Sequence, residues 1–136
     1  NGNSPRNPNE KALDMRKMLS STALHGSIKD QVEGYHIDIV DEVKAAVSAN
    51  SVVVVGMRYN NAVYGACKAL KKAGIEFTYF ECGGYASQWR RRLALKMWTG
   101  WPTFPMIFVN QTLVGGSKDL QRLLNDGKLA VDKVNA

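Results

Sequence analysis

Trp101-Pro102-Thr103-Phe104-Pro105-Met106-Ile107-Phe108-Val109, followed closely by Leu113-Val114-Gly115-Gly116, is the stretch that decides how this chain folds. Pro105 stands directly before an apolar run, where it removes one backbone donor at the mouth of a strand. Met106 to Val109 reads as that strand. Thr112 to Val114 reads as its hairpin partner across Asn110-Gln111, a turn without its usual glycine. Gly115-Gly116 then opens a last helix that carries Leu120, Leu123 and Leu124.

Upstream, Val52-Val53-Val54-Val55 reads as a strand buried on both faces, as in a parallel pair. A loop from Gly56 to Asn60 leads into a helix from about Asn61 to Ala73. Val63, Ala66/Cys67 and Leu70 face inward there, and Gly74 stops it. Phe77 to Phe80 supplies a second strand and completes a right-handed β-α-β unit. Gly83-Gly84 leads to a helix from about Ser87 to Trp98 with the stripe Trp89, Leu93 and Met97. Ahead of the first strand, Asp38 is suited to cap a helix whose Ile39/Val40, Val43 and Ala46/Val47 point inward. The order helix-β-α-β-α-β-β-α predicts an α/β, thioredoxin-like fold, a four-stranded mixed sheet flanked by helices.

Residues 1–35 read as an N-terminal extension and 36–136 as the domain. Pro5 and Pro8 punctuate a polar start. Ala12, Met15, Leu19 and Thr22/Ala23 then recur at helical spacing, and Gly26-Ser27 with Gly34 closes the segment. It reads as a packing arm or as a helix that docks a protein partner.

The chain has 136 residues, 45% of them hydrophobic, which suits one domain with a single core. No apolar run approaches a membrane span, so no membrane partner is expected. The net charge of +6 raises nucleic acid as a ligand. Without a nucleic-acid motif that reading is disfavoured, and an anionic small ligand explains part of the Arg90-Arg91-Arg92 cluster better. Two cysteines, Cys67 and Cys82, are too few for a disulfide framework. With two distant histidines they give no metal-ligand spacing, and a cytoplasmic setting is expected.

The Trp-Pro-Thr-Phe-Pro run, Val109 and Leu-Val-Gly-Gly, at their spacing, resemble the glutathione-binding half of a glutaredoxin. The likeness is greatest to the monothiol branch and spans about Asp38 to Leu129. It implies a cis Phe104–Pro105 bond, with the backbone of Thr103, Phe104 and Pro105 pairing with the cysteinyl part of glutathione like an added strand. It implies that Gly116 and Ser117, at a helix N-terminus, receive the γ-glutamyl end, with Asp119 helping to hold its ammonium. Lys118 departs from the acid usual at its position. Arg92, nine residues before Trp101, and Arg58, near the family's loop lysine, would meet the glycine carboxylate. Arg90 and Arg91 read as a solvated helix face.

The nucleophile is missing. The family's catalytic cysteine falls at Asn60, and Val63 holds the place of the second cysteine. Asparagine can cap a helix but cannot form a mixed disulfide. Cys67 lies seven residues into its helix, about 10 Å along the axis, and reads as a buried inert thiol. Cys82, ending the second strand beside Gly83-Gly84, is the one candidate for a relocated nucleophile. The expectation is a glutaredoxin-like protein that retains a glutathione-binding cleft and serves thiol redox homeostasis with little ordinary disulfide reductase activity. Its partner would be glutathione or a glutathionylated protein. The alternatives are a thiol-disulfide oxidoreductase using Cys82 and a non-catalytic interaction module. A [2Fe–2S] cluster bridged between subunits needs a cysteine ligand at position 60, so the sequence argues against one.

Overall fold

The computed structural model describes residues 18–131. The chain divides into two compact units, residues 1–35 and 36–136. In the first, a short 3₁₀ turn at Ser21–Ala23 precedes helix α1, Gly26–Glu33. Gly26-Ser27 was expected to break a helix; it begins one instead. The reason is His25, whose Nδ1 accepts the Ser27 N–H at 3.1 Å and so caps the first turn. Gly34 does end it, donating its N–H to the Asp30 carbonyl. Ala12 and Met15, and with them most of the amphipathic helix expected there, lie outside the described residues.

The second unit begins with α2, Ile37–Ala49, which buries Ile39, Val40, Val43 and Val47. Its cap is His36 in the left-handed region, not Asp38. Asp38 sits in the first turn, where a carboxylate complements the helix dipole. The remaining elements are β1 (Val52–Gly56), α3 (Asn61–Lys72), β2 (Thr78–Glu81), α4 (Trp89–Thr99), β3 (Met106–Val109), β4 (Thr112–Gly115) and α5 (Ser117–Asn125). They form one sheet in the order β2-β1-β3-β4, with β1 parallel to β2 and the other pairs antiparallel. This is the expected mixed sheet, with helices packed on it.

Period-two alternation divides the strands between two faces. On one, Val52, Val54, Ile107 and Val109 pack with Ala66 and Leu70 of α3 and Leu120 of α5. Helices α2 and α4 pack against each other, and Trp98 of α4 stacks on Phe108 of β3 at 6.1 Å. The stripe Trp89, Leu93, Met97 is exposed at all three positions. Helix α4 instead buries Arg92, Ala94 and Leu95. It starts at Trp89 rather than Ser87 because Gln88 is left-handed and the Ser87 hydroxyl turns back to accept the Gly84 N–H. Arg91 ties α4 to α2 through Glu42 and Asp38.

The glycine-free hairpin turn is real, and both of its residues, Asn110 (φ 52°) and Gln111 (φ 66°), are left-handed. Asparagine tolerates that region; glutamine has no local compensation. Gln111→Gly is therefore expected to stabilise the domain by about 0.5–1 kcal/mol, read as a higher urea midpoint at unchanged m-value.

Candidate functional site

The strand registers bring four loops to one end of the sheet. Gly56 at the end of β1 pairs with Glu81 at the end of β2. Val55 pairs with Met106 at the start of β3, and Ile107 with Gly115 at the end of β4. Loops 57–60, 82–88, 103–105 and 115–117 therefore leave from the same edge.

Asn60 caps α3. Its Oδ1 accepts the Val63 N–H at 3.0 Å, and its Nδ2 reaches Tyr85 Oη at 3.5 Å. The preceding residue, Tyr59, is left-handed, and its N–H donates to Tyr64 Oη at 2.9 Å. Loop 57–60 is tied to loop 82–88 by the Arg58 N–H on the Gly83 carbonyl, 2.8 Å. The Arg58 side chain is exposed, with Nε 3.7 Å from Glu81 Oε2.

The Phe104–Pro105 bond is cis. Thr103 is exposed, whereas Phe104 and Pro105 are buried. Among the described residues nothing hydrogen-bonds to Thr103, so its backbone stands ready to pair with an extended ligand. Loop 115–117 lies against this one. A Cβ on Gly116 would sit 3.6 Å from both the Pro105 carbonyl oxygen and Trp101 Nε1. That indole nitrogen is buried without a partner among the described residues.

Gly116 caps α5, and Asp119 Oδ2 accepts its N–H at 2.9 Å. The carboxylate reaches back beneath Gly115, where a Cβ would lie only 2.6 Å from Oδ2. Only glycine, here at φ 117°, admits that approach. Ser117 is buried, and its Oγ accepts from Gln121 Nε2 at 2.9 Å on the side facing Gly65. What Ser117 can offer a ligand is its backbone N–H.

Arg92 differs from the accessible fork expected for a carboxylate. It is buried, and its Nη1 donates to the carbonyls of Cys82 (2.9 Å), Gly84 (2.8 Å) and Ser87. Spacing along the helix placed it at the right end of the molecule, but its guanidinium fastens loop 82–88 from within. Lys96, one helical turn further on, was not singled out beforehand, yet its Nζ lies 5.8 Å from the Phe104 ring centroid. A cation–π contact has no motif, so no spacing could have revealed it.

Cys82 is corrected as a candidate nucleophile. It follows β2, has no exposed surface, and burial pushes its thiol up to about 11, outweighing the nearby Arg91 and Arg92. A neutral, inaccessible thiol neither attacks a disulfide nor meets one. Cys67 is half-buried among the side chains under β1, and desolvation raises its pKa as well.

The Cys82 pKa also carries a stability effect. The unfolded thiol ionises near 9 while the folded one keeps its proton to about 11. The native state then binds more protons, so the Cys82 contribution to stability is constant below pH 9 and is lost as pH rises from 9 through 11. Tyr79, pushed up to about 12 chiefly by burial, extends the decline. Urea unfolding between pH 8 and 11 should lose about 2 kcal/mol. Cys82→Ala should flatten the pH 9–11 portion.

Comparison with known proteins follows the same geometry. The family model for glutaredoxin matches residues 65–114. A glutaredoxin-like protein of Dictyostelium discoideum is 44% identical over 106 residues, covering 78% of this chain and 86% of the relative. Mitochondrial glutaredoxin-2 of Pongo abelii is 29% identical over 122 residues, 86% of this chain and 74% of that one. Among solved structures, wheat glutaredoxin aligns at TM-score 0.59 with 28% identity, covering 68% and 85% of the two chains. A buckwheat glutaredoxin solved as a complex with glutathione aligns at 0.63 with 23% identity, covering 71% and 88%.

Proposed function

Since the chain belongs to the glutaredoxin family, we propose that it holds glutathione, or the glutathionyl group of a modified protein, by non-covalent contacts and has little disulfide reductase activity of its own. The observation that carries this reading is Asn60. It occupies the start of α3, the nucleophile's place in the family, and its side chain serves as helix cap. Neither cysteine compensates, since Cys82 is inaccessible and Cys67 lies within the helix.

The ligand's cysteinyl backbone pairs with the unengaged Thr103–Phe104 segment. Its γ-glutamyl carboxylate meets the Ser117 N–H and the positive end of α5, the Gly116 N–H being already held by Asp119. Asp119 retains Oδ1 for the ammonium while Oδ2 holds the cap. At the glycine end the cations within reach are Arg58 and Lys96, with Arg92 stiffening the loop behind them. A [2Fe–2S] cluster does not fit this site, because the Asn60 amide supplies no thiolate ligand.

Amide NMR titration with glutathione tests the reading. Binding is expected in the millimolar range, as only polar contacts remain, with the largest shifts at Thr103, Phe104, Gly116 and Ser117. Lys96→Glu should weaken it about fivefold. Unchanged spectra at 20 mM or so of ligand, far above that range, would refute the cleft.

A further inference from the structure

We infer that the cleft prefers glutathione already substituted on sulfur with an aromatic or extended apolar group, a thioether conjugate, and that Tyr59, Tyr64 and Tyr85 form the subsite for that substituent. This rests on the glutathione reading above and names its ligand class.

Three large rings surround Asn60 and remain in water: Tyr59 is 74% exposed, Tyr85 64% and Tyr64 53%. Exposed aromatic residues gathered at one rim mark a contact surface, unlike single apolar residues scattered over a protein. These rings are also held in place. Tyr64 Oη accepts the Tyr59 N–H at 2.9 Å, and Tyr85 Oη lies 3.5 Å from Asn60 Nδ2. The Tyr59 ring rests against Gly84, 3.6 Å from where a Cβ would stand. A tyrosine tethered at its hydroxyl presents its apolar body to whatever passes, at little entropic cost.

The rim borders Asn60, the position at which the ligand's sulfur would meet a thiolate in relatives that carry one. Here it meets a carboxamide that makes no bond to sulfur, so the space beyond stays open to a substituent. Free glutathione leaves the three rings hydrated; a benzyl or hexyl group on sulfur would cover them and shed its own apolar hydration. No reaction is involved, since a thioether has no disulfide bond to exchange. The selection is one of affinity.

Titration calorimetry of the full chain with glutathione, S-benzylglutathione and S-hexylglutathione decides the matter. The conjugates are expected to bind at least about tenfold more tightly than glutathione. Tyr85→Ala and the double variant Tyr59→Ala/Tyr85→Ala should bring that ratio towards one, whereas Tyr85→Phe should preserve it. Measurable glutathione binding with no gain for either conjugate overturns the inference and leaves the glutathione reading intact. A preference that survives in the double variant also overturns it, because the apolar group then lies elsewhere. Failure of all three ligands to bind removes both readings together.

Discussion

Replacing Asn60 with cysteine is expected to raise glutathione-dependent reductase turnover by two orders of magnitude or more, on the scale that single nucleophiles contribute elsewhere. The expectation rests on the glutathione cleft proposed above and on the position of residue 60. Residue 60 heads α3, so the free N–H groups and the positive dipole end that now receive the amide oxygen would favour a thiolate. That thiolate would attack the glutathionyl sulfur of a mixed disulfide and release the partner's thiol. A second glutathione would then attack the new disulfide, freeing the enzyme and leaving oxidised glutathione. The loss of the asparagine cap costs about 1 kcal/mol, which a folded domain tolerates. The assay compares wild type, Asn60→Cys and Asn60→Cys/Cys82→Ser. Equal activity in the two variants is expected, because the Cys82 thiol is sealed in the core. Wild-type turnover as high as that of Asn60→Cys would refute the role given to residue 60.

The second large effect is on stability. Arg92→Ala is expected to destabilise the domain by about 3–4 kcal/mol, since it strips a charged donor from three loop carbonyls and empties a buried site. Arg92→Lys should recover only part of this, because the more strongly hydrated ammonium is costlier to bury than a guanidinium. The damage should be local first. Amides of residues 82–88 should lose hydrogen-exchange protection before the strands do, and Cys82 should become open to thiol reagents in the native state. Urea unfolding and thiol labelling measure the two parts. Arg92→Ala with wild-type stability would mean that the guanidinium does not fasten the loop.

How much of this was legible beforehand follows from which kinds of interaction write themselves into sequence. The strands were readable because the valine run and Met106–Val109 have too little polarity for anything but a buried sheet. Asn60 was readable as a cap because an asparagine before a helix has a short-range hydrogen bond to make. The start of α1 was misread because histidine seldom caps, so Gly26-Ser27 looked like a break. Helix α4 was misread for a different reason. Its spacing picks out the stripe Trp89, Leu93 and Met97, but the acceptors that draw Arg92 inward are carbonyls of a loop, and no side chain announces a carbonyl. The same blindness hid Lys96 over Phe104 and the bond from the Gly116 N–H to Asp119. Position along a helix is periodic and can be counted; the direction a long cation takes depends on backbone that only the folded chain assembles.

The amide at the head of α3 has one last consequence. A thiol at that place would report on electrons, its state following the ratio of oxidised to reduced glutathione. A carboxamide has no oxidation state to change. Whatever enters a cleft headed by Asn60 is governed by mass action alone, so occupancy rises and falls with the free concentration of the ligand. Such a cleft would keep answering in the same way under oxidative stress, because its head carries no sulfur to oxidise.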